Sequence, residues 1–398
     1  MIIKQPYPIN LDSKLCSRCY ICYSVCPFKA ISLDQEKIPS IDIEKCMLCG
    51  ICASACPSGI ITLQEYNPGS LVKILEAKKA NGNMSLVIAC RGSTTPDCKS
   101  LDGLIDKNVE NQIIMRVPCV GRLPLWFYLT ALSHGAKNIV TVRCKHEFCR
   151  FDNGSLANFS RIYALKRMLG AMGYADSTLT IVERAKQVDY STTDCVGCDK
   201  CVHVCPYKAI STGQFGTPSI DYLKCTGCGA CTVVCPHLAL EISGYECKHI
   251  AEIIENNSRQ IKKGNAYPPA ILVFCCQWAE FGNLDPRIES MVRPNLSIIE
   301  IPCFSKLDPI NVIQALNQGY DGVLAVTCSD NDCKSKESRN TAEDNMTVLS
   351  AGLKIMGLES RFKVYKTSPR KVGDFNREVE SFSNIISSLK REGVTGHE

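Results

Sequence analysis

The sequence predicts small α+β domains alternating with α/β domains built on parallel sheets, the whole being a tandem duplication of a two-domain unit. Three observations carry this. Four runs of closely spaced cysteines each end in Cys-Pro, a second cysteine pattern closes a series of apolar segments, and both patterns recur in the same order. At 398 residues the chain has room for two to four domains. Hydrophobic residues at 45% and charged residues at 21% are ordinary for a soluble globular protein. The 27 cysteines are not. Met1 to Asn10 lacks the apolar run of a signal peptide, so the reading is a reducing cytoplasm with thiolates held by metal rather than a disulfide framework. The longest apolar stretch, around Leu123 to Leu132, falls short of the roughly 20 residues a membrane span needs.

The duplication is read from intervals. Cys16, Cys19, Cys22, Cys26 and Pro27 recur as Cys195, Cys198, Cys201, Cys205 and Pro206. Cys46, Cys49, Cys52, Cys56 and Pro57 recur as Cys225, Cys228, Cys231, Cys235 and Pro236, and both jumps span 179 residues. Further on, Cys90, Cys119, Cys144 and Cys149 align with Cys276, Cys303, Cys328 and Cys333 at offsets of 186 and 184, the drift that short loop insertions leave. The expected domains are 1–68, 69–186, 187–245 and 246–398. Cys98, Cys247 and Cys275 have no counterpart; position 275 aligns with Ala89, which favours Cys276 as the functional cysteine.

Cys-x2-Cys-x2-Cys-x3-Cys-Pro is the bacterial ferredoxin run, in which the fourth cysteine ligates the other cluster. The first and third domains are thus expected to be α+β dicluster ferredoxin domains with four 4Fe–4S clusters in all. The ligand sets are Cys16, Cys19, Cys22 with Cys56; Cys46, Cys49, Cys52 with Cys26; Cys195, Cys198, Cys201 with Cys235; and Cys225, Cys228, Cys231 with Cys205. Three thiolates on a tight loop wrap three irons, and the fourth iron is capped from across a pseudo-twofold. Structural zinc also uses Cys-x2-Cys pairs but has no use for the third cysteine and the Cys-Pro. His203 and His237 align with Ser24 and Ser58, which makes them surface residues rather than ligands.

In the second and fourth domains, apolar runs at Leu86 to Ala89, Gln112 to Val117 and Asn138 to Arg143 each end at a cysteine. So do Ala270 to Phe274, Leu296 to Ile301 and Gly322 to Thr327 in the later copy. Helical stretches, Leu123 to Ser133 and Pro309 to Asn317, intervene and close on Gly135 and Gly319. Strands alternating with helices argue a parallel sheet, whose sites form at the carboxyl ends of strands. Cys90, Cys119, Cys144 and Cys149, and Cys276, Cys303, Cys328 and Cys333, land there. Four thiolates suit either a 2Fe–2S or a 4Fe–4S centre, and spacing does not choose. His146 aligns with Asp330 and reads as a polar loop residue. Arg91, Arg122 and Lys145 flank the first-copy cysteines, as tuning charges or as solvated loop cations. Trp126 and Trp278 are expected in the core. Helices are expected from Leu71 to Ala80, Cys247 to Lys263 and Val379 to Leu389, with a frayed end from Arg391 to Glu398, and Cys247 reads as a plain thiol.

Phe274-Cys275-Cys276-Gln277-Trp278, Pro302-Cys303, Gln318-Gly319-Tyr320-Asp321-Gly322 and Cys328 to Cys333 resemble the delta subunit of methyl-viologen-reducing hydrogenase over residues 269–345. Residues 85–167, with Pro118-Cys119-Val120-Gly121-Arg122, resemble a second copy. The resemblance implies one 2Fe–2S cluster per copy, hence two such clusters. It also implies passage of electrons between a hydrogenase or formate dehydrogenase and the flavin subunit of a heterodisulfide reductase, in an anaerobic setting. The chain departs from the family where a further cysteine is replaced by Ala279 and Ser93, and in its fused ferredoxin domains.

These observations imply an electron-transfer subunit within a multi-subunit redox complex. The alternative is a catalytic oxidoreductase subunit with its own flavin or substrate site. No strand–Gly-x-Gly-x-x-Gly–helix segment supports it, since Gly170-Ala-Met-Gly173 lacks the spacing. A cluster-based sensor is less favoured for want of an output module. The formal charge of +5 becomes clearly negative once thiolate-ligated clusters are counted, and no Lys/Arg run argues for nucleic acid.

Overall fold

The computed structural model describes residues 8–77, 84–96, 98, 101, 104, 111–263, 269–282 and 295–394. The chain divides into two compact units, Met1–Lys186 and Gln187–Glu398.

In the first unit, two short antiparallel strand pairs frame the N-terminal part: Ile9–Leu11 with Ile61–Leu63, and Ile31–Leu33 with Pro39–Ile41. Between them lie two five-residue helices, Ile21–Val25 and Ile51–Ala55. Elements this short bury little apolar surface, and the cysteines occupy much of the interior. Helix Pro68–Ala77, seating Leu71 and Leu75, leads into a four-stranded parallel sheet; its expected continuation to Ala80 lies outside the described residues. Across the sheet the strands run Asn111–Val117, Met84–Cys90, Ala136–Cys144 and Leu179–Arg184. Every residue of Met84–Cys90 is buried, the mark of a central parallel strand covered on both faces. Helix Leu125–Ser133 ends at His134 with Gly135 at φ 96°, the left-handed position that closes helices. Trp126 on this helix is 49% exposed, which corrects its expected place in the core; Phe127 and Tyr128 are buried instead.

The second unit repeats the plan. Strands Val188–Tyr190 and Leu240–Ile242 pair, as do Ile210–Thr212 and Pro218–Ile220, around helices Lys200–Val204 and Ala230–Val233. After helix Cys247–Lys263, the sheet orders Leu296–Ile301, Ile271–Cys276, Gly322–Cys328 and Phe362–Thr367, all parallel. Alternate residues of the central strands feed two cores. Leu272, Phe274, Val323 and Ala325 meet Ile250 and Met346 on one face, while Ile271, Val273, Leu324 and Val326 meet Phe375, Phe382 and Ile386 on the other. Asp308 caps helix Pro309–Asn317 by accepting from the Ile310 amide at 2.8 Å, with proline at the first helical position. Helix Asp374–Val394 starts before the expected Val379 and continues through residues expected to fray; 395–398 lie outside the described residues.

In both sheets the second strand lies on one side of the first and the third on the other. The point where the winding reverses leaves a crevice at the carboxyl ends of strands one and three. Cys90 and Cys144, and Cys276 and Cys328, are the last residues of those strands.

Candidate metal centres

Each ferredoxin-type run is shaped by one left-handed residue after its second cysteine: Tyr20 at φ 61°, Gly50 at 81°, Asp199 at 55° and Gly229 at 89°. That reversal starts the short helix carrying the third cysteine and turns the three thiols to one side. Cys16, Cys19, Cys22 and Cys56 line one pocket, and Cys26, Cys46, Cys49 and Cys52 another. In the second unit, Cys195, Cys198, Cys201 and Cys235 line a third pocket. Cys228, Cys225 and Cys205 lie close enough to Cys231 to push its thiol up, after burial itself. The structure thus gathers each triple with the fourth cysteine of the other run. Backbone amides donate to the sulfurs of Cys16, Cys26, Cys195, Cys205 and Cys235 at 3.3–3.5 Å. Burial, reinforced by Cys46 and Cys26, raises the Cys49 thiol to about 12, and burial raises Cys52 as well. Such sites hold protons until a cation displaces them.

The α/β cysteines form tighter sets. Cys90, Cys119, Cys144 and Cys149 lie close enough to perturb one another's thiols, Cys90 by Cys119 and Cys144 and Cys119 by Cys149 and Cys90. The Val120 amide donates to Cys90 Sγ at 3.2 Å and the Gly121 amide to Cys119 Sγ at 3.3 Å. The backbone of Phe151, and of Ser155 in the first turn of helix Gly154–Ala171, favours the ionised Cys149 sulfur, against the rise caused by Cys119 and burial. Gly154 completes the cradle, since a Cβ there would stand 2.4 Å from Cys119 Sγ. In the second unit Cys276 Sγ lies 3.6 Å from Cys328 Sγ, and Cys276, Cys328 and Cys333 share one buried cluster. Cys303, buried, is pushed up by burial and then by Cys276 and Cys228. Among the described residues no three His, Cys, Asp or Glu side chains form a single-ion site. All-thiol sets of four with amide donors to sulfur have the chemistry that suits iron–sulfur clusters.

The two kinds of site adjoin. After Cys119 the turn Val120–Arg122 packs on the ferredoxin helix Ile51–Ala55, and the Ser54 hydroxyl donates to the Gly121 carbonyl at 2.7 Å. Arg122, 1% exposed, donates to the Leu48 carbonyl at 2.6 Å; burial lowers its pKa while the neighbouring Cys119 and Cys49 raise it. The second unit repeats the joint. The Ser305 hydroxyl donates to the Cys228 carbonyl at 2.9 Å, and buried Lys306 donates to the Thr232 hydroxyl at 2.7 Å.

Of the flanking residues, Arg91 and Arg122 are buried, whereas Lys145, His146, His203 and His237 are exposed, His237 bordering the Cys195 cavity. Trp278 packs against the core of its unit. Cys247 opens its helix with its thiol 3.2 Å from Lys306 Nζ. Buried Arg116, Glu300 and Lys306 fall outside the cysteine motifs; the signal that could find them is their alignment three residues either side of Cys119 and Cys303.

Residues 86–191 and 271–390, together more than half of the chain, match the family model described as methyl-viologen-reducing hydrogenase, delta subunit. Residues 15–60 and 194–239 match the 4Fe–4S dicluster domain. The chain is 32% identical over 211 residues to one of the subunits of the ferredoxin/F(420)H(2)-dependent CoB-CoM heterodisulfide reductase of Methanosarcina acetivorans, covering 50% of this chain and 26% of that protein. It is 26% identical over 95 residues to an iron-sulfur subunit of the F420-non-reducing hydrogenase vhc of Methanococcus voltae, covering 23% of this chain and 66% of that one. The match thus spans about a quarter of the length of the heterodisulfide reductase polypeptide. Among the described residues no helix is long and apolar enough to cross a membrane.

Proposed function

Since the chain belongs to the methyl-viologen-reducing hydrogenase delta subunit family and carries 4Fe–4S dicluster domains, we propose that it is an electron-transfer subunit with three cluster sites in each unit. The reading assigns four 4Fe–4S clusters to the ferredoxin-type sets. It assigns 2Fe–2S clusters to Cys90, Cys119, Cys144 and Cys149, and to Cys276, Cys303, Cys328 and Cys333. The short thiol–thiol contacts favour two irons there, since pairs such as Cys276 and Cys328 at 3.6 Å suit two ligands of one iron. When bound, the clusters supply one-electron redox chemistry; the protein supplies spacing, burial and hydrogen bonds to sulfur.

The observation that carries the proposal is the joint at Arg122. One buried side chain lies between Cys49 of a ferredoxin set and Cys119 of an α/β set, so electrons pass from one site to the next within the unit. The similarity to subunits named for a ferredoxin-dependent heterodisulfide reductase and a hydrogenase supports hydrogenase or ferredoxin as donor and a heterodisulfide-reductase-like complex as acceptor; formate dehydrogenase as donor and a flavoprotein as the accepting subunit follow from the family resemblance alone. The first test is iron and acid-labile sulfide per chain on anaerobically purified protein, with EPR of the reduced sample. About 20 irons with both cubane and 2Fe–2S signals are expected. About 16 irons with cubane signals alone would end the relay at the ferredoxin domains.

A further inference from the structure

The two α/β sites share their cysteines but not their charged surroundings. At aligned positions the first unit has Arg91, Arg116, Arg122 and Arg143, and the second has Gln277, Glu300, Lys306 and Thr327, all eight buried. Arg116 sits in register with Ala89, beside Cys90, and Glu300 in register with Cys275, beside Cys276. An equivalent tyrosine reports the difference: Tyr66 accepts from Arg91 at 2.6 Å with Arg122 over its ring, whereas Tyr245 donates to Glu300 at 3.2 Å.

The cations also differ in how they are neutralised. Arg122 donates to the neutral carbonyls of Leu48 and Glu65, and its buried Nε–H has no acceptor in the protein. Lys306 has the Glu241 carboxylate at 3.5 Å, where the first unit aligns Thr62. Other second-unit arginines are paired as well, Arg339 with Asp330 and Glu343, and Arg370 with Asp332. In the first unit Arg143 pairs with the Glu183 carboxylate.

We propose that these side chains set the two α/β sites at different potentials, the Cys90 site the higher and the Cys276 site the lower. The inference rests on the proposed cluster occupancy. One-electron reduction adds one negative charge at the irons, makes and breaks no bond, and takes its electron from the donor protein. Buried cations stabilise that added charge and a buried carboxylate opposes it, strongly where water is excluded. The Ser305 hydroxyl beside Cys303 acts in the opposite sense at the second-unit site, but a neutral dipole is weaker than a full charge. The first unit therefore retains the electron and the second releases it, which gives the two copies distinct places in one relay.

The test is a redox titration of the iron-loaded full chain, followed by EPR at temperatures where cubane signals are broadened away. Two α/β waves are expected, differing at least tenfold in reduction equilibrium constant, or about 59 mV for one electron. Arg122→Gln should lower the upper wave alone, Arg122→Lys should restore most of it, and Glu300→Gln should raise the lower wave alone. Coincident waves, or an upper wave unmoved in Arg122→Gln, would overturn the inference while leaving the relay intact. Iron missing from both α/β sites would instead overturn the relay reading, and this inference with it.

Discussion

A single atom's worth of space decides which ferredoxin run faces the α/β domain. Gly50 and Gly229 follow the second cysteine of the runs at the joint, where the outward runs have Tyr20 and Asp199 in the same left-handed conformation. Backbone conformation therefore does not explain the glycines; close approach does. A Cβ at position 50 would stand 2.6 Å from Arg122 Cβ and 2.7 Å from Leu63 Cδ1, and one at 229 would stand 2.8 Å from Lys306 Cβ. Gly50→Ala should destabilise the chain by about 1–3 kcal/mol beyond its left-handed strain. Gly59, at φ 64° with nothing within 4 Å, is the control, and Gly59→Ala should show only the strain. Denaturant midpoints of the two variants compare them directly, and equal losses would refute the packing argument. Side-chain direction similarly separates the adjacent cysteines. Cys276 Sγ contacts Cys328 Sγ, while the Cys275 thiol donates to the Cys276 carbonyl at 3.6 Å. Cys276→Ser is expected to lose about two irons per chain and Cys275→Ser none, read by iron analysis.

At the scale of elements, the short helices work by crossing ligands. Cys56 ends helix Ile51–Ala55 yet lines the cavity of Cys16, Cys19 and Cys22. Cys56→Ser should therefore empty that site while the Cys26–Cys46–Cys49–Cys52 site keeps its cluster. In the reduced protein this would appear as loss of magnetic coupling between neighbouring cubanes with one uncoupled signal remaining. Loss of the Cys46-set signal instead would reverse the assignment. This crossing is legible from the motif, because the run's geometry is local. The parallel strands ending at Cys90, Cys119 and Cys144 are legible too, since central strands are continuous apolar runs that stop where the site begins. The fourth strands, Leu179–Arg184 and Phe362–Thr367, are not, because edge strands mix half-exposed and polar residues and carry no cysteine. Helix Lys336–Ile355 is hidden for a related reason: it buries only a narrow stripe, including Ala342, Met346, Leu349 and Leu353, under a polar surface. The joint at Arg122 is invisible in the sequence because nothing local marks which face of a module meets its neighbour.

For the whole molecule, so many buried thiols make stability depend on what occupies them. Cys49 rises from the ordinary 9.0 to about 12 through burial and then its neighbours, and burial raises Cys22, Cys52, Cys201, Cys228 and Cys231. In the metal-free chain these groups bind protons more tightly folded than unfolded. Their contribution is fully present below about pH 9 and is lost as pH rises through the folded values toward about 12. For Cys49 the rise corresponds to a few kcal/mol, on the order of what a marginally stable fold can lose, and the other raised thiols add in the same direction. Metal removal should leave a chain whose denaturant midpoint falls steadily above pH 9 under anaerobic, reducing conditions. The loaded chain should behave oppositely. Its ligand sulfurs are already deprotonated, the amide donors at Cys16, Cys26, Cys90 and Cys119 favour that form, and loading releases protons. Cluster assembly should accordingly strengthen with pH across the range in which the metal-free fold weakens. Parallel pH profiles for the metal-free and loaded chains would show that the thiols are structural core residues rather than ligands, because only ligation removes their protons from the folding balance.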